Sequence, residues 1–448
     1  MGGFANFAVS FTVISIVTGA ITLFGQGLNY GGPAVNGIGW PIVMLFTLAV
    51  TASMAEIASA IPTAGAMYHW SAILGGPGWG WFTAWFNFVG QVATTAGIDY
   101  GIAVFIADLL KIGGHSPLLA IYAALLASHG ALNHWGIKIV ARLNDASVWY
   151  HMAVTGVIIV SFLFFAPRQP LSFAFKTGFT TSKFPYAWAF MIGLLQAQWT
   201  FTGYDASAHI TEETVDPRRN APWGMFIAVL VSGLCGYPML IAITLAIQNL
   251  SAAATADNSF IYIAEQAFGP ARGRAMVWAV LPAMWFCGLS SVTTNARMIF
   301  AFSRDGGFPL SKTWAAVSPK FRTPANAVWL ATAIAFVLAL YSGAYTVIVT
   351  LSTIGLYISY VIPIILVVGA RRKGAWTNLG PWNLGKWGGV INIISIAWIA
   401  LITVLFVAPP NQLTGYTFAG LTVILTLYYL TLARGKFKGP QRLILASN

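Results

Sequence analysis

Two short segments of the chain combine a glycine with hydroxyl residues in the middle of long apolar stretches. They are residues 15–20, with the sequence SIVTGA, and residues 200–204, with the sequence TFTGY. If a helix is interrupted at the first glycine, the backbone amides of Thr18, Gly19 and Ala20 become donors at the start of a new helix, where the helix dipole favours a carboxylate. The first segment therefore predicts a site for a small anionic group.

The second segment offers the complementary chemistry. If a helix is interrupted at Gly203, the carbonyls of Phe201 and Thr202 become available to accept hydrogen bonds from an ammonium group. Trp199, four residues before this glycine, is a candidate aromatic lid over a bound solute, with ordinary packing as the alternative. Small residues such as Gly19 and Gly203 also let helices approach closely in membranes, so a packing role for both glycines stays open.

Between these segments, four polar residues recur at every fourth position: Asn87, Gln91, Thr95 and Asp99. On a helix this spacing places them on one face, which is predicted to point to the protein interior and to line a pathway. A carboxylate such as Asp99 is costly in a membrane, so it is expected to partner an amine, a proton or another helix. A structural hydrogen bond to a neighbouring helix is the alternative for Asp99.

The helices that carry these residues must lie in lipid. Of 448 residues, 58% are hydrophobic and only 8% are charged, and the mean hydropathy is +0.75. This composition leaves too little polar surface to cover a soluble globule. The apolar runs are about 16–20 residues long, which approaches or spans a hydrocarbon core of about 30 Å.

Composition also argues against several other kinds of site. The net charge is +12, but the basic residues occupy short loops between apolar runs instead of a contiguous patch for nucleic acid. Cys235 and Cys287 lie in separate apolar runs and read as packing residues. The six histidines lack the spacing of zinc ligands, so no metal and no cofactor is expected.

The apolar runs predict an all-α integral membrane protein with twelve transmembrane helices. The boundary between the ninth and tenth helices falls at residues 342–344. The predicted spans cover residues 7–29, 39–61, 79–112, 117–134, 145–166, 185–209, 222–248, 274–302, 325–343, 345–369, 387–407 and 416–433.

Because the number of spans is even, both termini are expected on one side of the membrane. That side holds 17 of the 23 lysine and arginine residues. Basic loops stay in the cytoplasm, so both termini are predicted to be cytoplasmic, in a multi-pass protein of the cell membrane. The basic residues on the other side are Lys111, Arg168, Lys176, Lys183, Arg272 and Arg274.

Three groups of motifs resemble the amino acid-polyamine-organocation permeases. Residues 54–68 read MAEIASAIPTAGAMY, residues 201–209 read FTGYDASAH and are followed by PRRNAP at 217–222, and residues 295–297 (NAR) are followed by SRDG at 303–306. The second group looks most like the amino acid and choline transporter branch, which includes permeases for 4-aminobutyrate. The motifs occur in the family's order over nearly the whole chain.

The resemblance implies a leucine-transporter-type fold with a 5+5 inverted repeat plus two extra helices. The first repeat is expected at residues 1–180, the second at 181–370, and the last two helices with a short cytoplasmic tail at 371–448. The function implied is secondary transport of amino acids or related amines, such as 4-aminobutyrate, by alternating access. Relatives usually carry a longer segment before the first helix, so an inward gate made by that segment is expected to be missing.

The resemblance also points to a coupling site. His151 falls where several sodium-independent relatives carry a lysine in place of a sodium ion. A protonated histidine there could bridge carbonyls of the first helix to hydroxyls of the eighth, at Ser290, Ser291 or Thr294, which favours proton coupling or exchange over sodium. A neutral interfacial histidine is the alternative. Asp205 lies where relatives can carry an acidic residue for gating or coupling, or it caps the second half-helix.

Other functional classes find less support in the sequence. A membrane-embedded enzyme needs a nucleophile with its base, a metal cluster or paired carboxylates, and none stands out. A channel or sensor favours pore loops, an arginine ladder or a large soluble domain. An organocation such as choline or a polyamine remains an alternative substrate, because Trp199, Phe201 and Tyr204 could form an aromatic pocket. The expected partners are therefore a small amino acid or amine, a coupling proton and the lipid bilayer.

Overall fold

A computed structural model describes residues 1–342, 345–377 and 379–440 of the chain, and within these ranges it contains helices and no strand. The helices are α1 (Gly3–Ile14), α2 (Ile16–Thr22), α3 (Phe24–Gly31), α4 (Trp40–Ala60), α5 (Met67–Gly75), α6 (Pro77–Leu110), α7 (His115–Trp135), α8 (Ile137–Phe165), α9 (Tyr186–Gly193), α10 (Leu195–Thr200), α11 (Ala206–His209), α12 (Pro217–Leu245), α13 (Leu250–Thr255), α14 (Ser259–Phe268), α15 (Pro270–Arg304), α16 (Ser311–Trp314), α17 (Ala325–Ser342), α18 (Tyr345–Arg372), α19 (Gly388–Val407) and α20 (Gln412–Tyr428). Short 3-10 or π turns cover Val35–Gly39, Leu171–Phe175, Thr211–Glu213, Gly385–Trp387 and Tyr429–Ala433.

The predicted all-α membrane fold is confirmed. In the described part of the chain, nine helical stretches are long and apolar enough to cross a membrane. They are Gly3–Thr22, Val35–Ala60, Pro77–Leu110, Lys138–Phe165, Pro217–Leu245, Pro270–Arg304, Tyr345–Arg372, Gly385–Val407 and Gln412–Ala433. The other three predicted spans coincide with α7, with α17, and with the interrupted series α9–α11.

Two predictions fall partly outside the described residues. The first is the predicted boundary between the ninth and tenth spans, because residues 343 and 344 lie outside the described residues. On either side of them, α17 ends at Ser342 and α18 begins at Tyr345. The second is the predicted C-terminal tail, whose residues 441–448 lie outside the described residues.

Short helices between the spans were not predicted from the sequence. The helix α5 follows α4 and packs beneath the start of α6, where the Thr83 hydroxyl donates to Ser71 Oγ at 3.0 Å. The helices α13 and α14 lie between α12 and α15. Each has at most ten residues, which is too short to cross a bilayer, so apolar length alone did not reveal them.

Glycine lets the central helices approach one another. A Cβ atom on Gly355 of α18 would lie 2.9 Å from the Cα of Gly90 on α6, so neither position has room for a side chain. On α2, a Cβ on Gly19 would lie 2.7 Å from the Cα of Thr200 on α10. The packing interpretation of Gly19 is therefore correct, because the first and sixth spans touch through this glycine.

Both ends of the described chain lie at the same end of the helix bundle. The amide of Val215 donates to the Met1 carbonyl at 2.9 Å, which places the N-terminus beside the connection between α11 and α12. Near the other end, the ring of Phe437 contacts that of Phe302 on the last turn of α15, with centroids 5.6 Å apart. This face is called the terminal side below, and the face that carries α13 and α14 is called the distal side.

Candidate solute-binding site

The first span is interrupted at Ser15, whose backbone adopts the left-handed conformation with φ 37° and ψ 81°. The interruption is one residue long, because the Gly19 amide donates to the Ser15 carbonyl at 3.1 Å. The Thr18 amide donates to Ser15 Oγ at 3.3 Å, so the serine caps the start of α2. The prediction of free amides at Thr18, Gly19 and Ala20 was wrong: the break comes earlier, and this cap uses the amides of Thr18 and Gly19.

The sixth span is interrupted where the sequence predicted. The helix α10 ends at Thr200 and α11 begins at Ala206, with Gly203 at φ 86° between them. This conformation favours glycine over other residues. The Phe201 carbonyl accepts a hydrogen bond from the Tyr357 hydroxyl at 3.3 Å, whereas the Thr202 carbonyl accepts none from the described residues. The expected unwound carbonyl is therefore present at Thr202.

A narrow cavity with a volume of about 10 Å³, room for about one water molecule, lies between the two interruptions. Four of the predicted binding residues line it: Thr18, Gly19, Trp199 and Thr202. The remaining lining residues are Val13, Ile14, Thr94, Ile98, Thr200 and Cys287. Sequence reasoning missed these six because their types are common in apolar helices.

The face of α6 that meets the cavity differs from the predicted stripe. Thr94 and Ile98 line the cavity, each one residue before Thr95 and Asp99. Consecutive side chains on a helix point about 100° apart, so the side chains of the stripe point away from the cavity. The stripe residues are buried in contacts with other helices, and Thr95 Oγ1 lies 2.8 Å from Ser291 Oγ on α15. Gln91, Thr95 and Asp99 do not line the cavity, and neither do Ala20, Phe201 and Gly203.

Asp99 pairs with a histidine. Its Oδ2 lies 3.1 Å from His129 Nδ1 on α7, and both side chains are fully buried. This is the structural hydrogen bond that the sequence left open as an alternative. Asp99 therefore joins α6 to α7 in this structure.

Asp205 connects three helices through one buried carboxylate. Its Oδ1 accepts from the Tyr360 hydroxyl on α18 at 2.6 Å. Its Oδ2 lies 3.0 Å from Gln91 Nε2 and 3.3 Å from Asn87 Nδ2 on α6, and 3.2 Å from His209 Nε2 on α11. The side chain makes no cap hydrogen bond to α11, so the capping alternative was wrong. Donors from α6 and α18 hold the carboxylate instead.

His151 touches the interruption in the first span. Its Nε2 lies 2.7 Å from Ser15 Oγ, and its Nδ1 lies 2.8 Å from the Ser147 carbonyl oxygen on the same helix. The side chain is fully buried. In the first span His151 therefore contacts a hydroxyl and not the carbonyls that the sequence predicted.

The predicted bridge from His151 to α15 is absent among the described residues. Ser290 donates to Asn144 Oδ1 on α8 at 2.5 Å, Ser291 pairs with Thr95, and Thr294 donates to the Ser290 carbonyl at 3.0 Å. Ser290 and Ser291 therefore join α15 to α8 and α6, and Thr294 bonds within α15.

The comparisons with known proteins agree with this geometry. A family model described as amino acid permease matches residues 4–429. The chain belongs to the amino acid permease family. It is 38% identical to amino-acid permease BAT1 of Arabidopsis thaliana, over 98% of this chain and 92% of the relative. It is 37% identical to the BAT1 homolog of Oryza sativa subsp. japonica, over 97% and 91%, and 26% identical to a putative polyamine transporter of Candida albicans, over 97% and 85%. The protein is accordingly a membrane transporter and not an enzyme.

On the distal side the permease has a vestibule with a volume of about 490 Å³. Its walls come from α2, α3, α6 and α18, and residues 254–259 cover it. Tyr345 lines the vestibule, and its ring meets that of Trp199 edge-on, with centroids 6.3 Å apart. Since Trp199 lines the central cavity, this ring pair lies between the cavity and the vestibule.

On the terminal side, two ion pairs join the segment after α11 to α15. Arg297 Nε lies 2.6 Å from Glu213 Oε1, and Arg304 Nη2 lies 3.1 Å from Glu212 Oε1. Burial alone would raise the pKa of Glu213, but the adjacent Arg297 guanidinium brings that pKa below its ordinary value. The motifs that carried the family resemblance contain or adjoin these residues, yet nothing in those motifs indicates that they pair.

Proposed function

We propose that this permease moves amino acids or related amines, such as 4-aminobutyrate, across the cell membrane by alternating access, with both termini in the cytoplasm. The observation that carries this proposal is the central cavity between two interrupted helices, near the middle of the membrane spans. We further propose that residues 1–180 and 181–370 form the two inverted repeats, followed by residues 371–448. In support, each proposed repeat begins with one of the interrupted spans.

The hydroxyl groups in the cavity favour an ammonium group. Thr94 and Thr200 each donate to a carbonyl of their own helix, at 2.8 and 2.6 Å, and Thr202 donates to the Trp199 carbonyl of α10 at 2.6 Å. A hydroxyl that donates its only proton in this way presents lone pairs to the cavity. The Thr202 carbonyl adds a further acceptor. Three hydroxyl oxygens and one carbonyl therefore suit the N–H donors of an amine.

A carboxylate needs donors, and Thr18 is the best placed. Its Oγ1 lies 2.6 Å from Ser15 Oγ, which in turn contacts His151. The Ser147 carbonyl only accepts, so Nδ1 of the imidazole carries a proton. In the neutral histidine, Nε2 then accepts from the Ser15 hydroxyl, and Thr18 donates to Ser15.

Protonation of His151 reverses this chain. Nε2 now donates to Ser15 Oγ, Ser15 donates to Thr18 Oγ1, and the Thr18 hydroxyl proton turns to the cavity. A substrate carboxylate thus finds its donor when the proton is bound. This reversal links proton binding to amino acid binding, which is what proton-coupled transport requires.

Uptake into proteoliposomes tests the proposal. An imposed pH gradient, acidic on the side of substrate addition, is expected to drive accumulation of a zwitterionic substrate, whereas a sodium gradient at constant pH is not. His151→Gln should keep exchange of substrate but lose its acceleration by acid. Sodium-driven accumulation without pH dependence would refute the coupling assignment, and the absence of saturable uptake of any amino acid or amine would refute transport itself.

A polyamine or choline-like cation is the second candidate. The acceptor-rich cavity supports it, and one relative carries the name putative polyamine transporter. The aromatic pocket predicted from Trp199, Phe201 and Tyr204 does not form, because only Trp199 of these three residues lines the cavity. Phe201 packs on Trp40, with ring centroids 4.6 Å apart, and Tyr204 packs on Tyr360 at 5.1 Å. Competition between 4-aminobutyrate, choline and a diamine in the same uptake assay separates these substrates.

A further inference from the structure

A groove with a volume of about 430 Å³ runs along the outside of the protein between α8 and α15, in the distal half of the membrane. Its floor is made of buried Val154 and Ile158, which are 7% and 0% exposed. Its rim includes Val157 and Phe165, which are 57% and 74% exposed. This surface is apolar and turned outward, so it faces lipid.

The wall that α15 contributes to the groove includes two small side chains, Ala275 and Ala279. Ala275 lies on the exposed face of α15 opposite the larger residues of α8. An empty furrow forfeits dispersion contacts, and the lipid hydrocarbon that surrounds the protein can restore them. Along α8 the lining extends from Phe165 to Val154, eleven residues or about 16 Å, which is the direction of an acyl chain entering the bilayer.

A positively charged side chain lies at the distal end of this groove. Arg272 lines the groove, is exposed, and has no hydrogen-bond or ion-pair partner among the residues that the structure describes. It lies in the first turn of α15, where the helix dipole disfavours a positive charge. Its neighbour Arg274 differs, because Glu265 neutralises it at 2.7 Å. Arg272 therefore lacks an anion at the level where a membrane helix begins and where lipid phosphates lie.

We propose that this groove binds one anionic phospholipid, with the phosphate on Arg272 and one acyl chain along α8 and α15. The combination of a charged end and an apolar furrow is complementary to a phospholipid and not to a peptide or a soluble anion. Arg168, just beyond α8, is a second exposed cation without a partner among the described residues, and it increases the preference for a lipid with net negative charge. This site is independent of the proposed transport function.

Thermal unfolding of the purified protein in detergent tests the proposal, because a ligand of the folded state raises the melting temperature. Phosphatidylglycerol should raise the melting temperature more than phosphatidylcholine does. Arg272→Gln should need about tenfold more phosphatidylglycerol for the same rise, the loss expected for one charge-assisted hydrogen bond. Lys183→Gln removes an exposed charge from the same side of the membrane, away from the groove, and should behave as the wild type does.

Ala275→Phe fills the groove without changing a charge. Since Ala275 is exposed to lipid, the variant should unfold at the wild-type temperature without added lipid and lose the rise with either phospholipid. Native mass spectrometry of the wild type and Arg272→Gln counts the bound lipid directly, so the proposal does not depend on one variant folding. Equal lipid responses in Arg272→Gln and the wild type would overturn it, as would an equal rise with inorganic phosphate alone.

Discussion

The two exits of the central cavity are closed in different ways. Toward the terminal side, the Asp205 carboxylate joins three helices, and two arginine–glutamate pairs lie beyond it. Toward the distal side, the edge-on contact between Trp199 and Tyr345 separates the cavity from a wide vestibule. Directional, charge-assisted bonds close one exit and a ring contact closes the other. Opening on the terminal side therefore requires charge-assisted bonds to break, whereas opening on the distal side requires the loss of an aromatic contact.

The largest effect is expected from Asp205→Asn. An amide cannot satisfy the donors that now surround the carboxylate, and the loss of a buried charged partner costs about 3–5 kcal/mol. Transport should fall by at least about a hundredfold, measured as initial uptake in proteoliposomes. Asp216→Asn, an exposed change on the same side, is the matched control. If Asp205→Asn transports at the wild-type rate, the carboxylate is not part of the terminal closure.

Trp199→Ala should weaken the distal closure. Removal of the indole takes away one ring of the pair, and an aromatic-to-alanine change at a buried site costs about 3–5 kcal/mol. Cys287 lines the cavity, so a membrane-impermeant maleimide reports access when Cys235 is first changed to Ser. Labelling from the distal side should rise about tenfold or more. Equal labelling with and without the indole would show that Trp199 does not close this exit.

Arg297→Gln should open the terminal side by a smaller factor. Glu213 is about half exposed (47%), and partly exposed ion pairs contribute up to about 1 kcal/mol, so labelling of Cys287 from the terminal side should rise about threefold to fivefold. Lys312→Gln, which removes an exposed charge from the same side without breaking an ion pair, is the control. A rise from the distal side instead would contradict the assignment of this pair to the terminal closure.

The smallest effect concerns pH. Because the Glu213 pKa is lowered in the folded protein, its ion pair is complete above the ordinary carboxyl pKa and is lost only as pH falls through the lowered value. Terminal-side labelling of Cys287, corrected for the reagent's own pH dependence, should stay constant from about pH 8 down to about pH 5. An increase near pH 6 would indicate that another group controls this closure.

The sequence predicted much of the fold but less of the site. All twelve apolar runs correspond to helices or interrupted helices, because length and hydropathy decide insertion into lipid. The interruption at Gly203 was also predicted from the glycine in the sequence. The structure agrees, because Gly203 has φ 86°, a conformation that favours glycine. The first interruption lies at Ser15, whereas the sequence predicted it at Gly19. A serine in the left-handed conformation is unusual, and contacts with Thr18 and His151 stabilise it here. Gly19 serves packing against Thr200 instead.

The sequence by itself determined that this chain lies in lipid and that its helices cross the membrane repeatedly. It also determined that polar groups such as Asp99, His151 and Asp205 must be satisfied inside the protein, because lipid offers them no hydrogen-bond partner. Only the tertiary structure decided the partners. Asp99 meets His129, Asp205 meets Tyr360, and the cavity is lined by residues one position away from the polar stripe. A helix repeats every 3.6 residues whatever surrounds it, but which neighbour each face meets depends on how all the helices pack together.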